Sequence, residues 1–371
     1  MKLYFIAGEA SGDLHGANLI DALRKRDNTI QMRGLGGEKM EQAGCTLMMN
    51  FREVSFMGFA EVIKNLGTIL RTMKKCKEDI LQFKPDAIVL IDYPGFNLRM
   101  AKWAKRQGIR VFYYISPQVW AWKSSRVETI RQVVDKMFVI LPFEKKFYAD
   151  RRYAVEFVGH PLLDEIAKGN HEGDQEIKRA ANGKKILALL PGSRVQEISK
   201  MLPVMLRAAE AMKNEYTVFI AGAPGMAKEF YQQFFPDDSA KILFNQTYAL
   251  LRSAQLAAVT SGTATLETAL HAVPQVVCYR GSAVSYFIGK QLVKIKFISL
   301  VNLIMEREVV KELIQNNFTA ESLLEELKKI TTENEARKKM LADYSLLREK
   351  LGGEGASART ADAILHALKK P

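Results

Sequence analysis

KPDAIVLIDYPGFNLRMAKWAKRQGIRVFYYI, residues 84–115, decides the fold. Lys84-Pro85-Asp86 is a turn, and Ala87 to Ile91 is an unbroken apolar run of strand length. A strand that reads as continuously apolar is covered on both faces, which is the habit of parallel sheets. Asn97 to Gln107 has helical character and is stopped by Gly108. Val111 to Ile115 is then a second strand. Strand, helix, strand within this length is a parallel crossover unit.

The same alternation extends in both directions. Upstream, Leu3 to Ala7 reads as a strand and Ser11 to Arg26 as a helix; downstream, Lys136 to Leu141 reads as a strand. A break follows at Gly159-His160-Pro161 and the polar stretch 168–185. The pattern then restarts with strands at Ile186 to Leu190, Thr217 to Ala221, Ala254 to Val259 and Gln275 to Tyr279, and a helix at Met201 to Met212. This organisation predicts two α/β domains in tandem, residues 1–167 and 168–355. The terminal segment, 356–371, reads as a helix with no strand after it and is expected to pack back onto the first domain.

Composition agrees with this scale. The chain has 371 residues, and domains average about 150. Hydrophobic residues make up 48% and charged residues 26%, the balance of a folded globular protein. No apolar run approaches the roughly 18 residues of a spanning helix. Cys45, Cys76 and Cys278 are odd in number and widely spaced, which points to a reducing compartment. The apolar start, Met1 to Glu9, is too short for a secretory signal, and a cytoplasmic setting is expected. Lysine and arginine number 54 against 41 acidic residues, a formal charge of +13. Such an excess implies an anionic partner: nucleic acid, nucleotide or an acidic membrane surface. The basic residues are spread along the chain and form no nucleic-acid module, so nucleic acid is the weakest of the three. Histidines 15, 160, 171, 271 and 366 are scattered, with no HExxH, and no metal site is expected.

Four loops after strands carry the chemistry. Gly8-Glu9-Ala10-Ser11-Gly12-Asp13-Leu14-His15-Gly16 is glycine-rich but is neither GxGxxG nor a Walker loop. Glu9 and Asp13 would repel phosphate, so hydroxyl contacts are expected there, or simply a tight turn with acids at a helix start. Asp92, at the mouth of an apolar strand, has the position of a general base whose pKa burial would raise; it could equally hold the turn near Asn97. Pro191-Gly192-Ser193-Arg194 offers backbone donors, a hydroxyl and a planar guanidinium suited to pyrophosphate, against a local cap from Ser193 to Glu197. Thr260-Ser261-Gly262-Thr263-Ala264-Thr265-Leu266-Glu267 opens a helix at a glycine with hydroxyls around it, a start suited to an anion. Glu267, one turn after Thr263, could reach ribose hydroxyls. One helix is distinctive as well. Phe59, Val62, Ile63, Leu66, Ile69, Leu70 and Met73 recur at helical spacing among Lys64, Arg71, Lys74, Lys75 and Lys77. That pattern suits a core-facing amphipathic helix, or one lying in an anionic bilayer interface.

Taken in order, seven motifs resemble the lipid-A-disaccharide synthase family over essentially the whole chain. They are Ala7 to Asp13, Val54-Ser55-Phe56-Met57-Gly58, Ser116-Pro117-Gln118-Val119-Trp120-Ala121-Trp122, Phe157 to Leu162, Leu190 to Arg194, Ser261 to Glu267, and Ser299-Leu300-Val301-Asn302-Leu303. The resemblance implies an inverting, metal-independent glycosyltransferase of the GT-B type: two Rossmann-like domains with parallel sheets facing across a cleft, and no cofactor. It implies transfer of 2,3-diacylglucosamine from its UDP derivative to the 6-hydroxyl of 2,3-diacylglucosamine 1-phosphate (lipid X), giving the β-1,6 disaccharide 1-phosphate and UDP in lipid A biosynthesis. Ser193, Arg194, Gly262, Thr263, Glu267 and Asn302 would bind UDP, with Glu306, Glu312 and Gln315 in the same polar segment. Asp92 would be the base, with Glu9 and Asp13 as competitors, since some members carry a second acid where this chain has Gly95. Two-chain lipid substrates favour the bilayer reading of Phe59, Val62, Ile63, Leu66, Ile69 and Leu70, with Trp120, Trp122 and Phe96 as further apolar contacts. The expected location is the cytoplasmic face of the inner membrane. The nearest alternative is another GT-B enzyme using UDP-sugars, such as a UDP-N-acetylglucosamine 2-epimerase.

Overall fold

A computed structural model describes residues 1–53, 66–121, 125–169, 171–235, 239–281 and 296–369. The Val54 to Gly58 motif, Phe59, Val62, Ile63 and Trp122 lie outside the described residues, as does the side chain of Leu66. The chain forms two units, Met1–Asp164 with Leu351–Pro371, and Glu165–Lys350.

The first unit is built on seven strands: β1 Lys2–Ala7, β2 Gln31–Gly36, β3 Thr46–Asn50, β4 Ala87–Ile91, β5 Arg110–Tyr114, β6 Lys136–Val139 and β7 Glu156–Phe157. Their order is β3-β2-β1-β4-β5-β6-β7, and every pairing is parallel. Successive side chains of a strand point to opposite faces, and here both faces are covered. Tyr4, Ile6, Ile88 and Leu90 pack with Ile69, Met73, Cys76 and Ile80 of the helix Leu66–Phe83, and with Leu98, Ala101 and Ala104 of the helix Pro94–Arg106. Leu3, Phe5, Val89 and Ile91 pack on the other face with Leu19, Ile20 and Leu23 of the helix Ala10–Arg24. The terminal helix, Ala356–Lys369, joins that second layer through Ala361 and Ile364. Arg26 anchors it by pairing with Asp362 and donating to Ala358 O at 3.0 Å.

The second unit carries β8 Lys185–Leu190, β9 Tyr216–Gly222, β10 Ala240–Phe244, β11 Leu256–Thr260, β12 Gln275–Tyr279 and β13 Lys311–Ile314. The order β10-β9-β8-β11-β12-β13 is again wholly parallel. In both units the strand order reverses once, between β1 and β4 and between β8 and β11. Ligands of such sheets bind at that switch point, beyond the carboxyl ends of the strands. Ala7 stands beside Ile91, and Leu190 beside Val259. The four loops singled out in the sequence are therefore the four that flank the two switch points.

Five strands are additional to the sequence reading: β2, β3, β7, β10 and β13. Four of these are sheet edges. β2 carries Gly34, where an added Cβ would fall 1.9 Å from the Phe5 carbonyl oxygen, beside a register shift against β3. The helix expected from Met201 begins instead at Val195 and runs to Glu210 through Pro203. Its start therefore abuts Arg194.

Candidate active site

At the switch point of the first unit, Asp92 and Tyr93 both take left-handed backbone conformations, with φ of 44° and 47°. Non-glycine residues adopt this region at a cost, and two in succession need a surrounding structure that holds them. Asn97, fully buried, provides it. Its Nδ2 donates to Asp92 O at 2.8 Å, Ile91 O at 3.2 Å and Ile6 O at 3.3 Å, tying together the ends of β1 and β4. Tyr113 Oη donates to Asp92 O at 2.6 Å, and Asp92 N donates to Tyr114 O at 3.1 Å. The Tyr93 ring lies against Gly8, where an added Cβ would fall 2.3 Å from it. So the first loop needs glycine for close packing.

The half-buried Asp92 carboxyl is pushed up to about 7, chiefly by burial and then by the charge of Glu9, with a backbone hydrogen bond at Tyr93 opposing. Glu9 is exposed and caps nothing with its side chain. Asp13 has a different task. It is 3% exposed, and its carboxylate accepts from the backbone N–H groups of Gly37 (2.7 Å), Met40 (3.1 Å) and Lys39 (3.2 Å). It holds the start of the helix Glu38–Gln42, which corrects its place among the candidate bases. His160 is buried, accepts from Leu162 N at 3.2 Å, and is pushed down to about 3 by burial and by His15. The neutral imidazole thus accepts within the turn that leads into Pro161 and Leu162.

In the second unit, Gly192 has φ of 114°, and an added Cβ would meet Glu197 at 2.8 Å. Ser193 N donates to Glu197 Oε2 at 3.2 Å, and Arg194 Nη1 to Glu197 Oε1 at 3.4 Å. The local cap is thus present, while the Ser193 hydroxyl and the guanidinium remain at an exposed surface. Gly262 has φ of 149° with nothing within 4 Å of an added Cβ, so conformation rather than space calls for glycine. It precedes the helix Thr263–Leu270, whose first N–H groups have no partner within the helix. Glu267 is half-buried, and burial raises its pKa while a hydrogen bond from Tyr248 Oη, at 3.0 Å to Oε1, lowers it.

Asn302 is placed otherwise than expected. It is 0% exposed, and its Nδ2 donates to Val310 O (2.8 Å) and Glu312 Oε1 (2.9 Å) while Oδ1 accepts from Val309 N (2.7 Å) and Val310 N (3.0 Å). Every bonding position of its amide is taken within the protein. Direct UDP contact by Asn302 is therefore corrected to a bracing role. Glu312 also accepts from Ile298 N and Ser299 N, each at 3.0 Å, and Ile298 O accepts from Ser261 Oγ at 2.9 Å. The Ser299 to Leu303 motif thus braces the loop that opens the Gly262 helix. Ile69 is also corrected: at 9% exposure it packs in the core, whereas Leu70 is 51% exposed beside Arg71, Lys74 and Lys75. Phe96 too is buried in the core. Two residues escaped the sequence reading. Tyr248 carries no motif, and Glu144 sits in an ordinary helix start, accepting from Leu141 N at 2.9 Å and Ile140 N at 3.2 Å, buried and pushed up to about 7.

A family model described as lipid-A-disaccharide synthetase matches residues 3–367. The chain belongs to the lipid-A-disaccharide synthase family. Curated relatives of that name include one from Syntrophus aciditrophicus, 41% identical, with 98% of this chain and 97% of the relative aligned. Another, from Myxococcus xanthus, is 37% identical, with 99% and 97% aligned. Among solved structures, a UDP-N-acetylglucosamine 2-epimerase from Neisseria meningitidis bound to UDP-N-acetylglucosamine aligns with a TM-score of 0.68 at 13% identity, covering 99% of this chain and 99% of that one. One from Methanocaldococcus jannaschii has a TM-score of 0.65 at 14% identity, covering 99% of this chain and 100% of that one. These structures share the fold with the lipid-A-disaccharide synthase family, the GT-B arrangement of two Rossmann-like domains. At such identities they speak to fold alone, and the epimerase alternative has no more than that behind it.

Proposed function

We propose that the enzyme transfers 2,3-diacylglucosamine from its UDP derivative to the 6-hydroxyl of lipid X, yielding the β-1,6-linked disaccharide 1-phosphate and UDP. The observation that carries the reading is the pairing of two kinds of switch-point loop: an acid with a raised pKa in one unit, and anion-suited backbone in the other. Asp92 removes the proton of the acceptor hydroxyl as its oxygen attacks the anomeric carbon. The new C–O bond forms as the bond from the anomeric carbon to the UDP phosphate breaks, and UDP leaves with the electron pair. Attack opposite the leaving group inverts the anomeric centre. Asp92 suits the role because it is half-buried at a strand mouth; Glu9 raises its basicity through charge, and Asp13 is engaged by three backbone donors.

Charge gathering on UDP is met by Arg194, Ser193 and the N–H groups at the Gly262-Thr263 helix start. Glu267 receives the ribose hydroxyls. The exposed face of Leu66–Phe83, with Leu70 and Leu81 each 51% exposed among Arg71, Lys74 and Lys75, supports placement on an anionic membrane surface where lipid substrates reside. No helix among the described residues is long and apolar enough to cross a membrane. That contact would be made with the cytoplasmic leaflet of the inner membrane.

The direct test is UDP release from the UDP-diacyl donor in the presence of lipid X. The wild-type protein is expected to turn over, Asp92→Ala to lose about 10²-fold or more in kcat, and Arg194→Ala to lose in both kcat and donor KM. A wild-type protein that releases no UDP would remove the assignment.

A further inference from the structure

Tyr248 opens the helix Thr247–Ser253, a segment that no motif marks. Its position is fixed from two sides. Arg252, one turn later on the same helix, forks onto Asp174, with Nη2 to Oδ1 at 2.7 Å and Nε to Oδ2 at 3.0 Å. The Tyr248 ring packs on the His271 ring at 5.0 Å between centroids, and His271 Nδ1 lies 2.8 Å from the Glu267 backbone oxygen. These contacts hold the phenol over the Glu267 carboxylate, 3.0 Å from Oε1. Burial and the carboxylates of Glu267 and Glu165 keep the phenol protonated, so it acts as a donor.

We propose that Tyr248 is a positioning residue of the nucleotide site, which fixes the Glu267 carboxylate by donating to Oε1 and so presents its second oxygen to the ribose 2′- and 3′-hydroxyls. The proposal rests on the reading of Glu267 as the ribose contact. A glutamate side chain has three rotatable bonds, and a free carboxylate would pay ordering entropy each time nucleotide bound. A donor committed to one oxygen removes that cost in advance. The charge-assisted bond also opposes the rise in pKa that burial causes, and so favours the ionised form that accepts from two hydroxyls.

The test compares UDP with 2′,3′-dideoxy-UDP by calorimetric titration of the full-length protein. Hydrogen bonds to a charged group predict that the wild type binds UDP about 10- to 100-fold more tightly than the dideoxy compound. Tyr248→Phe keeps the ring on His271 and removes only the donor. It is expected to weaken UDP about three- to tenfold and leave the dideoxy compound unchanged, so that the ratio contracts. Glu267→Ala is expected to abolish the ratio. If Glu267→Ala collapses the ratio and Tyr248→Phe keeps the wild-type value, the Tyr248 proposal is overturned. Equal weakening of both ligands by Tyr248→Phe overturns it too, because that is the mark of a merely structural role. A wild type that does not discriminate removes Glu267 from the ribose, and the proposal with it.

Discussion

Asp92 combines a strained backbone with a carboxyl whose ionisation is opposed by burial. With its pKa pushed up to about 7, Asp92 as the proposed base would be half-ionised near neutrality, so kcat/KM should rise through an acid limb near pH 7. The same shift has a consequence for stability. Between about pH 4 and 7 the folded protein keeps a proton on Asp92 that the unfolded chain releases, so this group's contribution falls as pH rises through that window and stays low above it. Asp92→Asn should therefore lose about 10²-fold or more in kcat and unfold at a higher denaturant concentration than wild type at pH 8, with the gain vanishing near pH 4. Chevron-free equilibrium melts at the two pH values read this out; a variant equally inactive but no more stable at pH 8 would mean that the carboxyl is not desolvated. Asp92 was legible in the sequence because it ends an apolar strand. Asp13 was not separable from it, because its partners are backbone groups of Gly37, Lys39 and Met40, 24 to 27 residues on. Asn302 misled in the same way, since a polar residue in a motif looks alike whether it meets a ligand or the protein's own backbone.

Among the elements, strands at the centre of each sheet announce themselves because both faces are buried, as in the run Ala87 to Ile91. Edge strands such as β7 and β13 do not, because they meet the sheet on one side only and mix charged with apolar residues. The brace across the second unit was equally hidden, for it joins β13 to a turn and a helix start through side chains of ordinary type. Glu312 is its centre. Removing the carboxylate leaves Ile298 N, Ser299 N and Ser299 Oγ without their acceptor and takes one of two acceptors from Asn302 Nδ2. Glu312→Ala is expected to cost about 2–4 kcal/mol in urea unfolding, since several donors lose a charged acceptor at once. Because Ser261 Oγ leans on Ile298 O, the same variant should also weaken UDP, while Glu312→Gln, which keeps an acceptor oxygen, should recover part of both. Unaltered UDP affinity in a destabilised Glu312→Ala protein would show that the brace serves the fold and not the nucleotide loop.

For the whole molecule, the +13 charge has more than one use. Part of it sits at Arg194, where the proposed reading puts the UDP pyrophosphate, and part lies along Leu66–Phe83, where Arg71, Lys74 and Lys75 are exposed beside Leu70. The buried side of this helix is fixed by Ile69, Met73, Cys76 and Ile80, so its outer face is free to vary without loss of the core. Leu70 and Leu81 are among the few large apolar residues left exposed, and lie on that outer face eleven residues, or about three turns, apart. An apolar pair in a cationic field is suited to an anionic bilayer: each basic group near the surface contributes about 1 kcal/mol and each inserted leucine about 1.5–3 kcal/mol. The wild type should therefore sediment with vesicles containing phosphatidylglycerol, and less so as salt shortens the Debye length to about 10 Å at 0.1 M. Leu70→Ser with Leu81→Ser should reduce binding at least tenfold at any salt, while Lys74→Glu should weaken it mainly at low salt. Both variants should keep the wild-type melting curve to within about 1 kcal/mol, as exposed positions do. Vesicle binding that survives the double serine change unaltered would place the membrane contact elsewhere on the molecule.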